Sequence, residues 1–255
     1  MSKNFELMQQ ASSSATEVRS TRPIASTVQP TLTNGVHQSG GGALDLGQLA
    51  SEETLRLVQR IFLLQTQEPP RAVVFAGVDR GNGCSEVCVQ VADTLAKNIK
   101  GSVCLVEANL RAPRLPGMFG TTNHHGLTES LLQEGPVRSF AKPVRGENLW
   151  LLSSGSLATD SPQLLHSQRL KARFAELRQE FDFIIIDAPP LTPYSDAVGL
   201  GQVADGLVLV LEANSTRRDA AFQVAENLRA SNIRILGAVL NKRTYPIPDS
   251  LYRRV

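Results

Sequence analysis

The chain has 255 residues, of which 42% are hydrophobic and 20% charged, which is typical of a globular protein with one good core. Its formal net charge of only +2 does not indicate a nucleic-acid partner or a polybasic membrane surface. No apolar run approaches the roughly 18 to 20 residues that span a bilayer, and the first residues lack the apolar centre of a secretory signal. We therefore expect a cytoplasmic protein.

The first 48 residues are rich in Ser, Thr, Gln and Gly and show no sustained apolar period. This composition predicts a flexible or disordered leader over 1–48 and a single folded domain over 49–255. The domain is expected to open with a helix that the Pro69-Pro70 pair stops. The apolar residues at helical spacing in this helix are Leu55, Val58, Ile61 and Phe62.

Strand-like apolar runs alternate with helix-like segments through the rest of the chain. The runs are nearly continuous in Val, Ile and Leu, as in strands that are buried on both faces of a parallel sheet. We therefore predict a three-layer α/β domain with a mostly parallel central sheet, whose ligands bind at the carboxyl ends of the strands. The predicted strands cover residues 72–77, 102–108, 149–154, 181–188, 206–213 and 233–241.

A glycine-rich loop with the sequence AGVDRGNGCSEV joins the first strand to the helix after it. Consecutive backbone N–H groups and a helix N-terminus form an anion site at such a junction. Gly81 and Gly83 let the backbone wrap a phosphate without a Cβ clash, and the Ser85 hydroxyl can bind Mg²⁺. The glycine pattern is also that of a simple tight turn, so the loop alone leaves phosphate binding open.

The loop lacks the lysine that neutralises the β- and γ-phosphates in nucleotide-binding loops of this shape. Cys84 stands in its place and cannot supply a positive charge at any pH. Arg80 offers a partial substitute, although it lies on the other side of the two glycines.

Carboxylates follow two of the predicted strands. Asp187 ends a fully apolar strand, where a buried carboxylate needs a positive partner, and Mg²⁺ is the natural one. The alternative is that Asp187 caps a nearby helix. Glu107 and Asn109 end the second strand, where a carboxylate can act as a general base or can simply be solvated.

Three cysteines are too few, and odd in number, for a disulfide scaffold. Cys84 and Cys88 are four residues apart and can share a helix face, and His124 and His125 would complete a zinc set. The spacing of these residues does not match the usual zinc motifs. We therefore expect buried, inert thiols and no zinc.

Together these segments resemble the bacterial tyrosine kinases of capsule and exopolysaccharide synthesis, which belong to the MinD/ParA class of P-loop ATPases. Residues 77–86 resemble the family's phosphate loop, 107–120 its second motif and 181–190 its Walker B strand. Residues 126–135 and 153–165 also follow family motifs, the latter with Asp160 in place of Asn. The resemblance runs from about residue 50 to 241 and implies a P-loop NTPase-like fold.

The resemblance implies ATP and Mg²⁺ as cofactors. Glu107 would be the catalytic base, Asp187 would complete the catalytic pair, and Ser85 and Asp187 would hold Mg²⁺. Asn241, on the closing strand, would lie near the adenine. The nucleotide-binding residues that it implies are Arg80, Gly81, Asn82, Gly83, Cys84, Ser85, Glu86 and Asn241.

The departures from the family pattern concentrate where the chemistry would take place. The loop lysine is Cys84, the hydroxyl residue after the Mg²⁺-binding Ser is Glu86, and a second-motif Asp is Asn109. Because phosphoryl transfer depends on charge stabilisation, these changes predict a pseudo-kinase that acts by binding its partners. The alternative is an active autokinase with an atypical loop, for which Tyr245 and Tyr252 are the C-terminal targets.

The resemblance also implies partners. The family's kinases work with a membrane-bound, copolymerase-like regulator of polysaccharide chain length, which would recruit this chain to the inner face of the cell membrane. Glu53 and Arg56 match the family's oligomerisation helix, whereas Arg60 comes one position late, so a homo-oligomer stays open. A MinD-like positioning ATPase is disfavoured because the C-terminal segment does not form an amphipathic membrane helix.

Overall fold

The computed structural model of the protein describes residues 46–64, 68–156 and 161–243. The leader predicted for 1–48 therefore falls almost wholly outside the described residues. The same is true of Asp160, Tyr245 and Tyr252, so the predictions made for them stay predictions.

Seven strands form one sheet in the order β3-β4-β2-β5-β1-β6-β7. All neighbouring strands run parallel except β3, which pairs antiparallel with β4 at one edge. The predicted mostly parallel sheet is thus confirmed. The strands are β1 (Ala72–Gly77), β2 (Val103–Glu107), β3 (Lys142–Arg145), β4 (Leu149–Leu152), β5 (Phe183–Ala188), β6 (Gly206–Glu212) and β7 (Ile235–Asn241).

The central strands are almost completely buried, because helices cover both faces of the sheet. Every residue of β1 and β2 is buried, as the nearly continuous apolar sequences predict. The parallel register sets Glu107 of β2 and Phe75 of β1 beside Asp187 of β5. Both strand-end carboxylates therefore lie on neighbouring strands at the carboxyl edge of the sheet.

The sheet separates the core into two halves, one on each face. On one face, the buried side chains of Val58, Phe62 and Leu95 pack against the sheet. On the other face, Phe174 and Leu228 belong to a second buried cluster, so the predicted three layers are confirmed. The helices are α1 (Leu46–Val58), α2 (Cys84–Asn98), α3 (Leu115–Phe119), α4 (Leu127–Leu132), α5 (Gln168–Glu180), α6 (Asp196–Gly201) and α7 (Arg218–Ala230).

The first helix begins and ends at other residues than the sequence predicted. It begins at Leu46, earlier than the predicted domain start, and continues past Val58 as a π-helical turn over Gln59–Leu63. The helical structure thus ends before Pro69-Pro70, which the sequence had suggested as the stop. Short 3₁₀ helices at Val137–Phe140 and Ser161–His166 complete the regular structure of the described residues.

Gly126 precedes α4 at a point where the backbone runs very close to its neighbours. A Cβ on this residue would lie 2.1 Å from the Ser153 carbonyl oxygen and 2.6 Å from the Gly155 nitrogen. Because both are backbone atoms, Gly126→Ala is expected to lower the free energy of unfolding by about 1–3 kcal/mol in urea denaturation. Gly117→Ala is the matched control, since a Cβ there meets nothing within 4 Å. Equal losses in the two variants would contradict this account.

Candidate functional site

The loop between β1 and α2 has the backbone of a phosphate loop. Gly81 has φ 85° and Gly83 has φ 79°, a left-handed conformation that favours glycine at both positions. Cys84 is the first residue of α2, so the loop leads directly into a helix N-terminus. The first N–H groups of a helix have no partner within the helix, and they carry the positive end of its dipole. The loop therefore retains an anion-binding backbone.

Side chains of the loop itself, and side chains at the end of β7, hold this loop in place. The Asn82 side-chain oxygen accepts the Asp79 N–H at 2.7 Å, so Asn82 is a bracing residue of the loop. Lys242 donates to the Gly81 carbonyl at 2.5 Å and lies 3.5 Å from the Glu212 carboxylate. Lys242 is thus a cation near the loop, but its ammonium group is already engaged by the Gly81 carbonyl and the Glu212 carboxylate.

Asn241 also braces the loop. Its amide nitrogen donates to the Asn82 carbonyl at 2.9 Å. A Cβ on Gly83 would lie 2.3 Å from the same nitrogen, so the two residues are in close contact. In the described contacts Asn241 stabilises the loop, and the adenine contact implied by the resemblance stays a prediction.

A cavity of about 260 Å³ opens beside the loop. The loop residues 79–86 form one wall of it. Glu86 brings a negative charge to the wall, as the sequence predicted. The other charged and polar residues that line the cavity come from the segments after β2 and β5, and they are Asn109, Arg111, Arg114 and Tyr194.

Two of the three arginines that line the cavity, Arg80 and Arg111, are already engaged. Arg80 donates a hydrogen bond to the Tyr194 hydroxyl, and the guanidinium of Arg111 lies 4.0 Å from the centroid of the Tyr194 ring. Arg111 also forms an ion pair of 2.6 Å with the buried Asp196. The structure therefore does bring Arg80 to the cavity, where it is fixed on an aromatic ring.

Sequence reasoning missed Tyr194 and did not single out Arg111 and Arg114. The two arginines lie within the second motif, and their position after a strand end was a usable signal. Tyr194 lies in the connection between β5 and α6, and its role depends on contacts with Arg80 and Arg111 that are 114 and 83 positions away in the chain. No local pattern indicates such a contact.

Asp187 is completely buried at the end of β5. One carboxylate oxygen, Oδ2, accepts a hydrogen bond of 2.5 Å from the Ser85 hydroxyl. The other, Oδ1, has no hydrogen-bond partner among the described residues. Burial raises the pKa of Asp187 to about 6, against the opposing effect of the Ser85 hydroxyl and the thiols of Cys84 and Cys88. The predicted pair of Ser85 and Asp187 is thus brought together.

Glu107 is also completely buried, and its surroundings suit a helix cap. Its Oε1 accepts the N–H groups of Arg114 and Leu115, the latter at 2.9 Å, where α3 begins. Its Oε2 has no partner among the described residues. Burial raises the pKa of Glu107 to about 7, although the two N–H groups oppose the shift. The predicted base therefore lies beside Asp187, but one of its oxygens already binds the backbone.

The donor atoms around Asp187 are a mixed set. The thiols of Cys84 and Cys88 and a carboxylate oxygen of Asp187 lie within 4.8 Å of one another. Mg²⁺ prefers oxygen ligands and keeps several waters. Asp187 and Ser85 supply such oxygens, whereas the two sulfurs beside them do not suit this ion. This set of side chains therefore fits Mg²⁺ only in part, and the loop backbone, not these side chains, is what suits a phosphate.

Comparison with known proteins identifies the family of the chain. No protein-family model matches the chain. The tyrosine-protein kinase YwqD of Bacillus subtilis is 30% identical over 193 residues, which are 76% of this chain and 81% of that protein. The chain belongs to the bacterial tyrosine kinase family.

Solved structures also have the fold that the sequence predicts for this chain. The kinase domain of VpsO has a TM-score of 0.69 at 25% identity, over 79% of this chain and all of that one. A ParA family ATPase from Chlorobium tepidum has a TM-score of 0.58 at 17% identity, over 68% of this chain and 74% of that one. The predicted fold class is therefore confirmed, and the chain shares its fold with ParA-type ATPases.

Proposed function

We propose that this bacterial tyrosine kinase homologue is a degenerate member of its family, with little or no phosphoryl transfer. Its role would be to regulate capsule or exopolysaccharide synthesis or export by binding partners. The observation that carries the proposal is the state of residue 84. The Cys88 thiol lowers the pKa of Cys84, but burial and the Asp187 carboxylate outweigh it and raise that pKa to about 11. Residue 84 therefore carries no positive charge where a catalytic loop needs a cation.

The charges around the cavity support the same conclusion. Catalysis of phosphoryl transfer is largely electrostatic, and removal of one transition-state donor costs roughly 100- to 1000-fold in rate. Arg80 is engaged by Tyr194, Arg111 is paired with Asp196, and Glu86 adds a negative charge. The remaining cations thus compensate only in part for the missing lysine.

An active autokinase is the second candidate, and one observation favours it. Burial raises the pKa of Glu107 to about 7, which is near the operating pH that suits a general base. Three arginines line the cavity, so some positive charge is available to a polyphosphate. In this case ATP and Mg²⁺ would be the cofactors, and Tyr245 and Tyr252 the acceptors.

The partner we propose is a membrane-bound regulator of polysaccharide chain length, which would bring the chain to the inner face of the cell membrane from the cytoplasm. Family membership supports this proposal. Among the described residues, no helix has both the length and the apolar character needed to cross a bilayer. The exposed charges of α1, which are Glu52, Glu53 and Arg56, offer a polar surface for a homo-oligomer, although they also pair with one another.

Two measurements on the purified full-length protein test the lack of phosphoryl transfer. Calorimetric titration with ATP and Mg²⁺ is expected to give no binding in the micromolar range. Incubation with γ-labelled ATP is expected to leave Tyr245 and Tyr252 unlabelled, while a family member with the loop lysine is labelled under the same conditions. Micromolar binding together with tyrosine labelling would replace this proposal by the active autokinase.

A further inference from the structure

The most unusual feature of the site is the cluster of Cys84, Cys88 and Asp187. The two cysteines lie four residues apart on α2, so their side chains share one face of the helix. Asp187 reaches the same point from the end of β5, about a hundred residues away in the chain. All three offered ligand atoms lie within 4.8 Å of one another.

We infer that Cys84, Cys88 and Asp187 form a binding site for a borderline-soft divalent cation, and that Zn²⁺ is the ion that it takes. Zinc accepts thiolate sulfur and carboxylate oxygen in a tetrahedral arrangement. Zn–S distances are about 2.3 Å and Zn–O distances about 2.0–2.2 Å. Two ligand atoms bound to the same zinc ion at these distances are less than 4.8 Å apart. The three ligand atoms of this cluster, which lie within 4.8 Å of one another, are therefore close enough for one ion to bridge them after small movements.

The orphaned oxygen of Asp187 is an independent observation in favour of a ligand. The hydroxyl of Ser85 uses Oδ2, whereas Oδ1 is buried with no hydrogen-bond partner among the described residues. A buried carboxylate oxygen without a partner is costly, and coordination to a metal ion removes that cost. The second oxygen therefore provides the third ligand beside the two sulfurs.

The position of the cluster leaves a fourth coordination place toward the cavity. Cys88 and Asp187 are completely buried, whereas Cys84 is half-buried and lines the cavity. Water or an anion can reach the ion from that side. A bound zinc ion would join the start of α2 to the end of β5 and would occupy the oxygen of Asp187 that Mg²⁺ needs.

Cobalt(II) and zinc titrations of the full-length, reduced protein test this site. The wild type is expected to bind one cobalt ion per chain, with a thiolate-to-cobalt charge-transfer band in the near ultraviolet that zinc abolishes. Cys84→Ser and Cys88→Ser are each expected to lose the band and to weaken zinc binding by more than about 100-fold. That factor exceeds the effect typical of residues that only support metal ligands.

Cys104→Ala is the matched control, because Cys104 is a buried thiol on β2 and has no place in the cluster. This variant is expected to keep the band and the zinc affinity. Zinc is also expected to raise the Tm of the wild type and of Cys104→Ala but not that of Cys84→Ser, which guards against a folding defect. Absence of the band in the wild type, or its persistence in Cys84→Ser, would overturn the zinc site.

Discussion

The double variant Cys84→Lys, Glu86→Thr is expected to bind ATP with Mg²⁺ roughly 10- to 100-fold more tightly than the wild type. It restores the cation at the first position of α2 and removes a negative charge from the cavity wall. A hydrogen bond to a charged group is worth about 1.5–3 kcal/mol, and each 1.4 kcal/mol is about tenfold in affinity. Titration calorimetry on the full-length proteins measures the change.

The site can accept this lysine. Cys84 is half-buried and lines the cavity, so a longer side chain can extend into that space. The ammonium group would also lie near the Asp187 carboxylate, and an opposite charge at short range stabilises both ionised forms. The glycines at 81 and 83 already give the loop the backbone that a phosphate needs.

Cys84→Ser with Glu86→Thr is the control for this experiment. It removes the thiol, and with it the zinc ligand, but adds no positive charge. If lysine and serine at position 84 improve ATP binding equally, the missing positive charge is not the cause, and the gain comes from removal of the Glu86 charge or of a blocking metal. If neither variant binds ATP better than the wild type, the loss of lysine is not what impairs the site.

Stability is expected to fall as the pH rises from about 4 to about 8, by roughly 5–6 kcal/mol. The pKa of Glu107 is about 7 and that of Asp187 about 6 in the folded chain, both above their ordinary values of 4.5 and 3.8. The folded state therefore binds more protons than the unfolded state across this range, and the free energy of unfolding decreases with pH. One pKa unit corresponds to about 1.4 kcal/mol.

Other carboxylates do not obscure this slope. Asp182 and Asp205 have lowered pKa values, owing to hydrogen bonds from the Ser102 backbone for Asp182 and from Arg178 for Asp205, which outweigh burial. Their stabilisation is complete above their ordinary pKa and is lost only at lower pH. The range above about pH 4 is thus left to Glu107 and Asp187.

Urea denaturation at several pH values checks this expectation with a matched pair of variants. Glu107→Gln keeps an oxygen that can accept the N–H groups of Arg114 and Leu115 but cannot ionise, so the slope is expected to flatten by about half. Glu147→Gln changes an exposed carboxylate in the turn between β3 and β4 and is expected to leave the slope unchanged. A wild type whose stability rises over this range would contradict the raised pKa values.

Several features of the fold could be predicted because they depend on local composition. The apolar runs identified the six parallel strands, since a strand covered on both faces has no polar side. The glycines of the loop indicated its left-handed turns. Strand β3 was missed because it is only four residues long and contains Pro143. It also lies at the edge of the sheet, where partial exposure gives the sequence no continuous apolar run. The short helices α3, α4 and α6 carry too few turns to show a period.

By itself the sequence determined the layer architecture, the place of the loop, the strand-end carboxylates and the missing lysine, because each depends on neighbouring residues. Only the tertiary structure decided what these groups contact. Cys84 and Asp187 meet because β1 and β5 are adjacent in the sheet, and Tyr194 meets Arg80 and Arg111 because three separate strand ends converge at one edge. Spacing along the chain did not indicate a metal motif, whereas the fold brings Asp187 close to Cys84 and Cys88, since distance in sequence does not limit distance in a folded sheet.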